Sequence, residues 1–505
     1  MNLIILTRKN IYLILLIIFF LLYVLQGIYQ LDSDFGWHLR FGEIVLQTHR
    51  VPLKDLFSYT MPSYDFINHE WLSDVIIASI YNLSGLIGVS VFFSLFVTIG
   101  LIITIKIAGT KDRFGFWLSL LTMVAITAVQ FAGIRPQDLS WTFFVLVWYL
   151  LDICKNKWRF YLLPLIFLLW ANMHAAFALG LFLFMISAID SLLRRERNSH
   201  YLLLSFIFAI CATLINPYGF KLWQEVILTT VSSQISVVEE WTPSFTHLIF
   251  PMWLFVDFSL VMLWFNRRNL SYKSIFLLVV LFLFFITGIR QAPLFMLFLL
   301  PFVIQAISNF SLQTKKYPFA LQRLKIASQI IALLTFIFCL TNLWPLGQNL
   351  WQSKLNIQQS IALNYPSGSA AYLRAHPFLG NYYSVYNWGG YLIWQLPNKK
   401  DFIDGRMPTW INPQAPKNES KNALQDFLGI SNPQRLAGII HKYDITILII
   451  APLKQSNTRC WLLKNWCDQI VKQRSSIDKP LLTYLKRNHW KKIAHDQASV
   501  VYKLE

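Results

Sequence analysis

The sequence predicts a polytopic α-helical membrane protein of about eleven spans followed by an extracytoplasmic α/β domain, and three observations predict it. Apolar runs of about twenty residues recur through the first two thirds of the 505-residue chain, each long enough to cross a hydrocarbon layer. Hydrophobic residues make up 55% of the chain and charged residues only 14%, a balance suited to lipid rather than water. From residue 346 onward the pattern changes to short alternating segments, none long enough to span.

The first apolar run, residues 11–30, is longer than a signal-peptide core, follows Arg8 and Lys9, and ends in LDSD rather than in the small residues of a cleavage site. It reads as a retained helix. Further spans are expected at 86–108, 114–133, 138–153, 159–173, 175–193, 200–216, 250–266, 273–289, 292–309 and 327–345. Lys and Arg gather in alternate short loops, among them Lys155, Lys157 and Arg159, then Arg194, Arg195 and Arg197, then Arg267 and Arg268. The positive-inside bias makes these loops cytoplasmic. An odd number of spans from a cytoplasmic N-terminus places the tail outside. The expected domains are therefore 1–345, whose outer loop 31–85 carries interfacial helices, and 346–505.

Loop 31–85 opens with LDSDFGWHLRFGEIV, which brings Asp32, Asp34, His38, Arg40 and Glu43 out on the external face. Trp37, Phe41, Ile44 and Val45 recur at helical spacing, so 37–48 predicts an amphipathic helix lying in the interface. The segment HEWLSDVIIASIY, residues 69–81, predicts a second. Asp34 stands where a residue would cap the first of these helices. Asp32 can be a solvated residue at the membrane surface, but Asp34, His38 and Glu70 together exceed what capping requires. Carboxylates at the mouth of a helical bundle act strongly on a cation or a developing positive charge, because the dielectric there is low.

The other outer loops add Arg135 and Asp138 in IRPQDLS, His174 in WANMHAAF, Glu239 and Glu240 in VVEEWTPSF, and Arg290 in GIRQAPLF. Purely structural roles exist for each: His174 can serve a carbonyl between helices, the glutamates can be solvated, and the arginines can snorkel to headgroups. The two arginines nevertheless break the charge bias that holds elsewhere. A guanidinium is the side chain best matched to phosphate oxygens.

GWHLRFGEIVLQTHRVPLKDLFSYT with NHEWLS, then RPQD, WANMHAAF, NPYG, EEW and RQAPLF, and finally NWGGYLIWQLP with DFIDGRM, resemble a large bacterial group of GT-C superfamily glycosyltransferases, the family 39-like or RgtA/B/C/D-like proteins. The resemblance covers nearly the whole chain. It implies a multi-helix enzyme of the bacterial cytoplasmic membrane that takes a sugar from a polyprenyl-phosphate donor and passes it, at the outer face, to a glycan, lipid or protein acceptor. It implies a catalytic carboxylate at Asp34 with Asp32 as its D-x-D companion, and His69 and Glu70 as a second polar motif of the same loop. Asp34, Asp32 and Glu70 are the expected catalytic residues; His38, Arg40, His69, Arg135, His174, Glu239, Glu240 and Arg290 are the expected substrate-binding residues. Some members use a divalent cation such as magnesium or manganese and others do not; Asp32 and Asp34 are the expected metal ligands.

The residues point the same way on independent grounds. Short inner loops with no P-loop and no dinucleotide fingerprint leave a lipid-linked donor as the natural substrate outside. Transfer from a phosphate needs a base for the acceptor hydroxyl and stabilisation of the departing charge, roles that suit Asp34 on one side and Arg135 and Arg290, or a metal held by Asp32 and Glu70, on the other. A glycosidase acid–base pair fits less well, since a phosphate leaving group needs little protonation. The rival classes are a transporter or flippase of lipid-linked glycans and a non-catalytic envelope-assembly scaffold. A transporter exposes its site to both sides and often shows internal repeats, whereas these polar groups crowd the outer ends.

In the tail, YYSVYN, KKDFIDGRM and DITILIIAP are expected as strands, SAAYLRAH and NALQDFLG as helices, WKKIAHDQASVVYKL as a terminal hairpin, and the NWGGY glycines as a tight turn. The tail holds 20 Lys and Arg against 9 Asp and Glu, and so supplies +11 of the chain's +19. Such a surface outside a membrane suits anionic headgroups or carrier phosphates and gives no reason to expect nucleic acid. Cys460 and Cys467 on one continuous helix would lie about 10 Å apart, too far for a disulfide.

Overall fold

The computed structural model describes residues 8–109, 121, 124–125, 127–232, 239–247, 250–313, 343–452, 481 and 483–505. Most of the expected spans at 114–133 and 327–345, and the pair Cys460 and Cys467, lie outside the described residues. The chain forms two compact units, one from Met1–Asp32 and Asn68–Trp351, the other from Ser33–Ile67 and Gln352–Glu505. Residues 33–67 thus fold with the C-terminal chain, where the sequence had them beside the helices of the first 345 residues.

Three helices open the chain: α1 (Arg8–Tyr29), α2 (Phe35–Thr48) and α3 (Trp71–Ala108). In the first unit α3 contains the expected second interfacial helix and the next apolar run. Gly85, at φ 64°, breaks the helix between them, a backbone conformation open to glycine. Helices at Pro136–Asp152, Arg159–Met173, Phe177–Leu193, Ser199–Thr213, Phe250–Asn266, Tyr272–Thr287 and Ala292–Gln313 fall on expected apolar segments. Pro136 occupies the first turn, where its missing N–H costs nothing, and Ser271 caps the helix after it by accepting from Ser274 N. Among the described residues two helices, Trp71–Ala108 and Ile289–Asn309, are long and apolar enough to cross a membrane, and five more are apolar but shorter.

Close approach holds this unit together. Thr142 Oγ1 donates to Phe96 O at 2.5 Å beside Gly100, and the ring of Trp170 lies against Gly180. Small residues at helix crossings are the usual means of packing where the surroundings are as apolar as the core. The same helices also turn large apolar side chains outward, including Ile87, Phe208 and Leu283.

The second unit is built on a four-stranded sheet of order β1-β2-β4-β3, with β1 (Asn381–Ser384), β2 (Ile445–Ile450), β3 (Trp490–His495) and β4 (Val500–Leu504). β1 runs parallel to β2 with Tyr383 opposite Leu448, and β2 and β3 flank β4 antiparallel. The terminal hairpin, the strand over DITILIIAP and the helices Ser367–Ala375 and Ala423–Gly429 fall where the sequence places them. Two more helices, Ile357–Asn364 and Pro433–Lys442, were not anticipated, although Asn356 and Asn432 cap them by accepting backbone N–H groups.

KKDFIDGRM is not a strand. It runs past residues 57–60, where Asp401 N donates to Phe57 O at 2.7 Å and Tyr59 N donates to Asp401 O at 3.1 Å, and it then turns as Met407 N donates to Asp404 O. Asp401, Asp404 and Arg406 are buried, with Arg406 bonded to Asp404, which prevents continuation as a ladder. Arg406 donates to both oxygens of Asp404, at 2.7 and 2.6 Å, and to Asp55 Oδ1 at 2.8 Å, within a ring of Trp37, Phe57, Phe66 and Trp410. This buried cation ties residues 33–67 to the C-terminal chain.

α2 packs on the helix Gly389–Gln395, and Phe35, Trp37, His38, Leu39, Phe41 and Val45 are buried. Its apolar face therefore has a protein partner. A Cβ at Gly36 would stand only 2.7 Å from Gly390 C, so the glycine pair of NWGGY opens a helix and admits a neighbouring backbone instead of making a turn.

Candidate active site

The candidate site residues of the first unit form two clusters. Asp32 ends the segment after α1 and is ion-paired through Oδ2 with Arg135 Nε. The other side of the Arg135 guanidinium is ion-paired with Glu240 Oε1. Glu240 Oε2 also faces Arg290 Nη1 at 3.8 Å. Gln137 locks Arg290 in place: its Oε1 accepts from Arg290 Nε at 2.5 Å and its Nε2 donates to Arg290 O at 3.0 Å. Arg290 lies over the Trp241 ring, 5.3 Å from its centroid. Burial pushes the Glu240 carboxyl up, but Arg135 and Arg290 outweigh that and hold it below the usual carboxylate range. One carboxylate thus bridges two arginines at this end of the unit.

Glu70 anchors the second cluster, at the start of α3. Its Oε1 faces His174 Nε2 at 3.5 Å and His69 Nε2 at 3.7 Å. His174 Nδ1 accepts the Ala176 backbone N–H at 3.1 Å and lies 2.8 Å from Ser140 Oγ, which itself accepts from Trp170 Nε1. A backbone N–H can only donate, so Nδ1 carries no proton and Nε2 does. His174 therefore points a neutral N–H at Glu70. Beside it, Asn68 accepts from Glu70 N at 2.9 Å and donates to Asp74 at 2.6 Å, which fixes the chain on either side of His69.

Asp34 belongs to the second unit. It occupies the N-cap position of α2, yet its side chain makes no cap hydrogen bond. Its carboxylate lies over Gly405, where an added Cβ would stand 2.7 Å from Cγ and 2.8 Å from Oδ2. His38 is buried against Trp37, with ring centroids 3.6 Å apart and the planes tilted by 31°. Arg40 is ion-paired with Glu43 one turn along the same helix. Glu239 lies in the 3-10 turn Glu239–Trp241, and its side chain is outside the described residues.

Sequence reasoning singled out the charged members of these clusters and missed Ser140, Gln137 and Gly405. Ser140 and Gln137 carry no signal beyond their nearness to Arg135. Gly405 sits inside DFIDGRM, whose density of acidic and basic residues was the available clue.

The expected metal ligand Asp32 is neutralised by a guanidinium that would repel a cation, and among the described residues no group of three His, Cys, Asp or Glu is placed to hold one.

Neither family models nor curated protein sequences show a match to the chain. Solved structures do. The archaeal oligosaccharyltransferase AglB from Archaeoglobus fulgidus, in complex with an inhibitory peptide and a dolichol-phosphate, aligns with a TM-score of 0.51 at 12% identity over 88% of this chain and 70% of that one. ArnT from Cupriavidus metallidurans bound to undecaprenyl phosphate aligns with a TM-score of 0.51 at 10% identity over 97% of both chains. The Archaeoglobus fulgidus oligosaccharyltransferase in complex with Zn and sulfate aligns with a TM-score of 0.50 at 12% identity over 86% of this chain and 67% of that one. At such identities the likeness is one of fold.

Proposed function

With the GT-C fold of this chain as the premise, we propose that it transfers a sugar from a polyprenyl-phosphate donor to a glycan, lipid or protein acceptor at the outer face of the bacterial cytoplasmic membrane. The observation that carries this reading is the fold match along 97% of both chains with an ArnT structure that holds undecaprenyl phosphate.

In the proposed reaction the acceptor oxygen forms a bond to the sugar's anomeric carbon as the bond from that carbon to the phosphate oxygen breaks. Asp34 takes the acceptor's proton, and the polyprenyl phosphate leaves with the bonding electrons. The leaving phosphate gains charge, so donors placed at its oxygens contribute most to the rate. Arg135 and Arg290 are suited to this because Asp32 and Gln137 hold each guanidinium at a set angle. Asp32 then acts as the orienting partner of Arg135. Glu70, which faces His174, is assigned the role of accepting a substrate hydroxyl. A metal is given no part in these steps.

The test uses the full chain in nanodiscs with undecaprenyl-phosphate [14C]hexoses as donors and an envelope lipid extract as acceptor. Label should pass to the acceptor, and Asp34→Asn should reduce the rate by about 10²- to 10⁴-fold while insertion is unchanged. Transfer at the parental rate by Asp34→Asn would remove Asp34 as the base, and no transfer from any of these donors would overturn the reading.

A further inference from the structure

Resting on Asp34 as the proposed base, we infer that Gly405 is a positioning residue, whose missing side chain leaves the space in which the Asp34 carboxylate is held. Glycine is not required at 405 by the backbone, since the described glycines in the left-handed region are Gly85, Gly109, Gly219 and Gly380. What a side chain there would meet is Asp34: the three nearest atoms to an added Cβ are its Oδ1, Cγ and Oδ2. The turn under the carboxylate is rigid, because Asp404 Oδ1 accepts both Arg406 N at 3.0 Å and Arg406 Nε at 2.7 Å.

A second glycine holds the other end of the same residue. Gly390 meets the backbone at this point, so that a Cβ there would stand 3.2 Å from Asp34 Cα and from Ser33 C. Asp34 O in turn accepts from His38 N at 3.2 Å, which fixes it to the first turn of α2. Backbone and carboxylate of Asp34 are therefore confined by glycines from two stretches of the C-terminal chain, NWGGY and DFIDGRM. The C-terminal chain thereby helps set the direction of the base.

Gly405→Ala tests this. The atom in the way is the end of a short side chain that can rotate, so the variant should fold with Asp34 turned aside. Its kcat should fall by on the order of 10²-fold with the KM for undecaprenyl-phosphate [14C]hexose unchanged, as for a group misplaced by about 1 Å. The acid limb of its pH–rate profile should also move, because the carboxylate has changed surroundings. A parental kcat, or a fall in rate that scales the whole profile without moving it, would overturn the inference. If Gly405→Ala lowers the thermal midpoint, adding Asp34→Ala should restore it, and failure to restore it would show that the space serves something other than Asp34. Full activity in Asp34→Asn alone would instead remove the proposed base, whatever Gly405→Ala does.

Discussion

His174 turns Nε2 toward Glu70 Oε1 at 3.5 Å while its Nδ1 is occupied by the Ala176 N–H. The imidazole is thereby fixed as a neutral donor to a carboxylate that is itself largely buried. His174→Gln keeps an N–H donor of similar reach and should hold sugar transfer within about threefold, whereas His174→Ala should lower it by at least about tenfold, the worth of a hydrogen bond to a charged group. Equal rates in the two variants would show that the bond to Glu70 is not what matters.

Arg290 and Glu240 should move donor affinity in opposite directions. Arg290→Ala removes a positive charge from the proposed phosphate site and should weaken undecaprenyl phosphate binding by about tenfold with little change in stability, since its pair with Glu240 is long and partly exposed. Glu240→Gln removes the anion that lies between both arginines and should tighten binding by about three- to tenfold. Calorimetry or fluorescence titration with undecaprenyl phosphate reads both, and looser binding in Glu240→Gln would mean that Glu240 supports the site instead of competing for it.

Arg406 is the side chain on which the second unit depends. Replacing it by Met leaves Asp55 and Asp404 buried without their cation, which should cost about 3–5 kcal/mol. Lys should not substitute, because a single ammonium cannot make the forked bonds to Asp404 and reach Asp55 together. Thermal midpoints of the detergent-solubilised variants measure this, and a midpoint within 1–2 °C of the parent for Arg406→Met would remove the claim; such a shift is within the effect of about 1 kcal/mol.

Asp401 makes stability depend on pH. Burial pushes its carboxyl well above the usual range, Asp404 adds to the effect, and the Phe402 N–H, Ser384 and Arg406 offset it only in part. Its Oδ2 is buried with no hydrogen-bond partner among the described residues. The folded state holds this proton more tightly than the unfolded chain. Its contribution to stability is therefore complete below the ordinary carboxylate range and is lost as pH rises toward the raised value. The thermal midpoint should fall as pH rises above the ordinary carboxylate range, and Asp401→Asn, which cannot ionise, should flatten that slope. An unchanged slope would assign the dependence to another group.

Loop charge predicts an orientation in the membrane that labelling can test. In a cysteine-free background, Leu379→Cys, at a position 90% exposed in the second unit, should react with an impermeant maleimide in intact cells, whereas Arg197→Cys should react only after lysis. The reverse pattern would place the proposed chemistry on the wrong face.

What the sequence determined by itself is the helical part of the fold and the chemical character of the loops between the apolar runs. Apolar runs lie where the helices lie, because burial in an apolar medium needs only length and hydrophobicity, both of which are local. Arg135, Glu240, Arg290, Glu70 and His174 were legible because a polar or charged group at the end of such a run is conspicuous. Their partners were not. Nothing local says that Glu240 pairs with Arg135, that Ser140 and Ala176 fix the tautomer of His174, or that Asp404 and Arg406 of KKDFIDGRM join Asp55 in a buried network, so that the segment cannot continue as a strand.

Tertiary structure alone decided that residues 33–67 fold with the C-terminal chain, which assigns Asp32 and Asp34 to different units although they are two residues apart. It also decided that Gly405, about 370 residues along the chain from Asp34, makes the room for that carboxylate. Both depend on close packing between segments far apart in sequence, where tenths of an ångström decide whether a side chain fits, and no local pattern of residues encodes that distance.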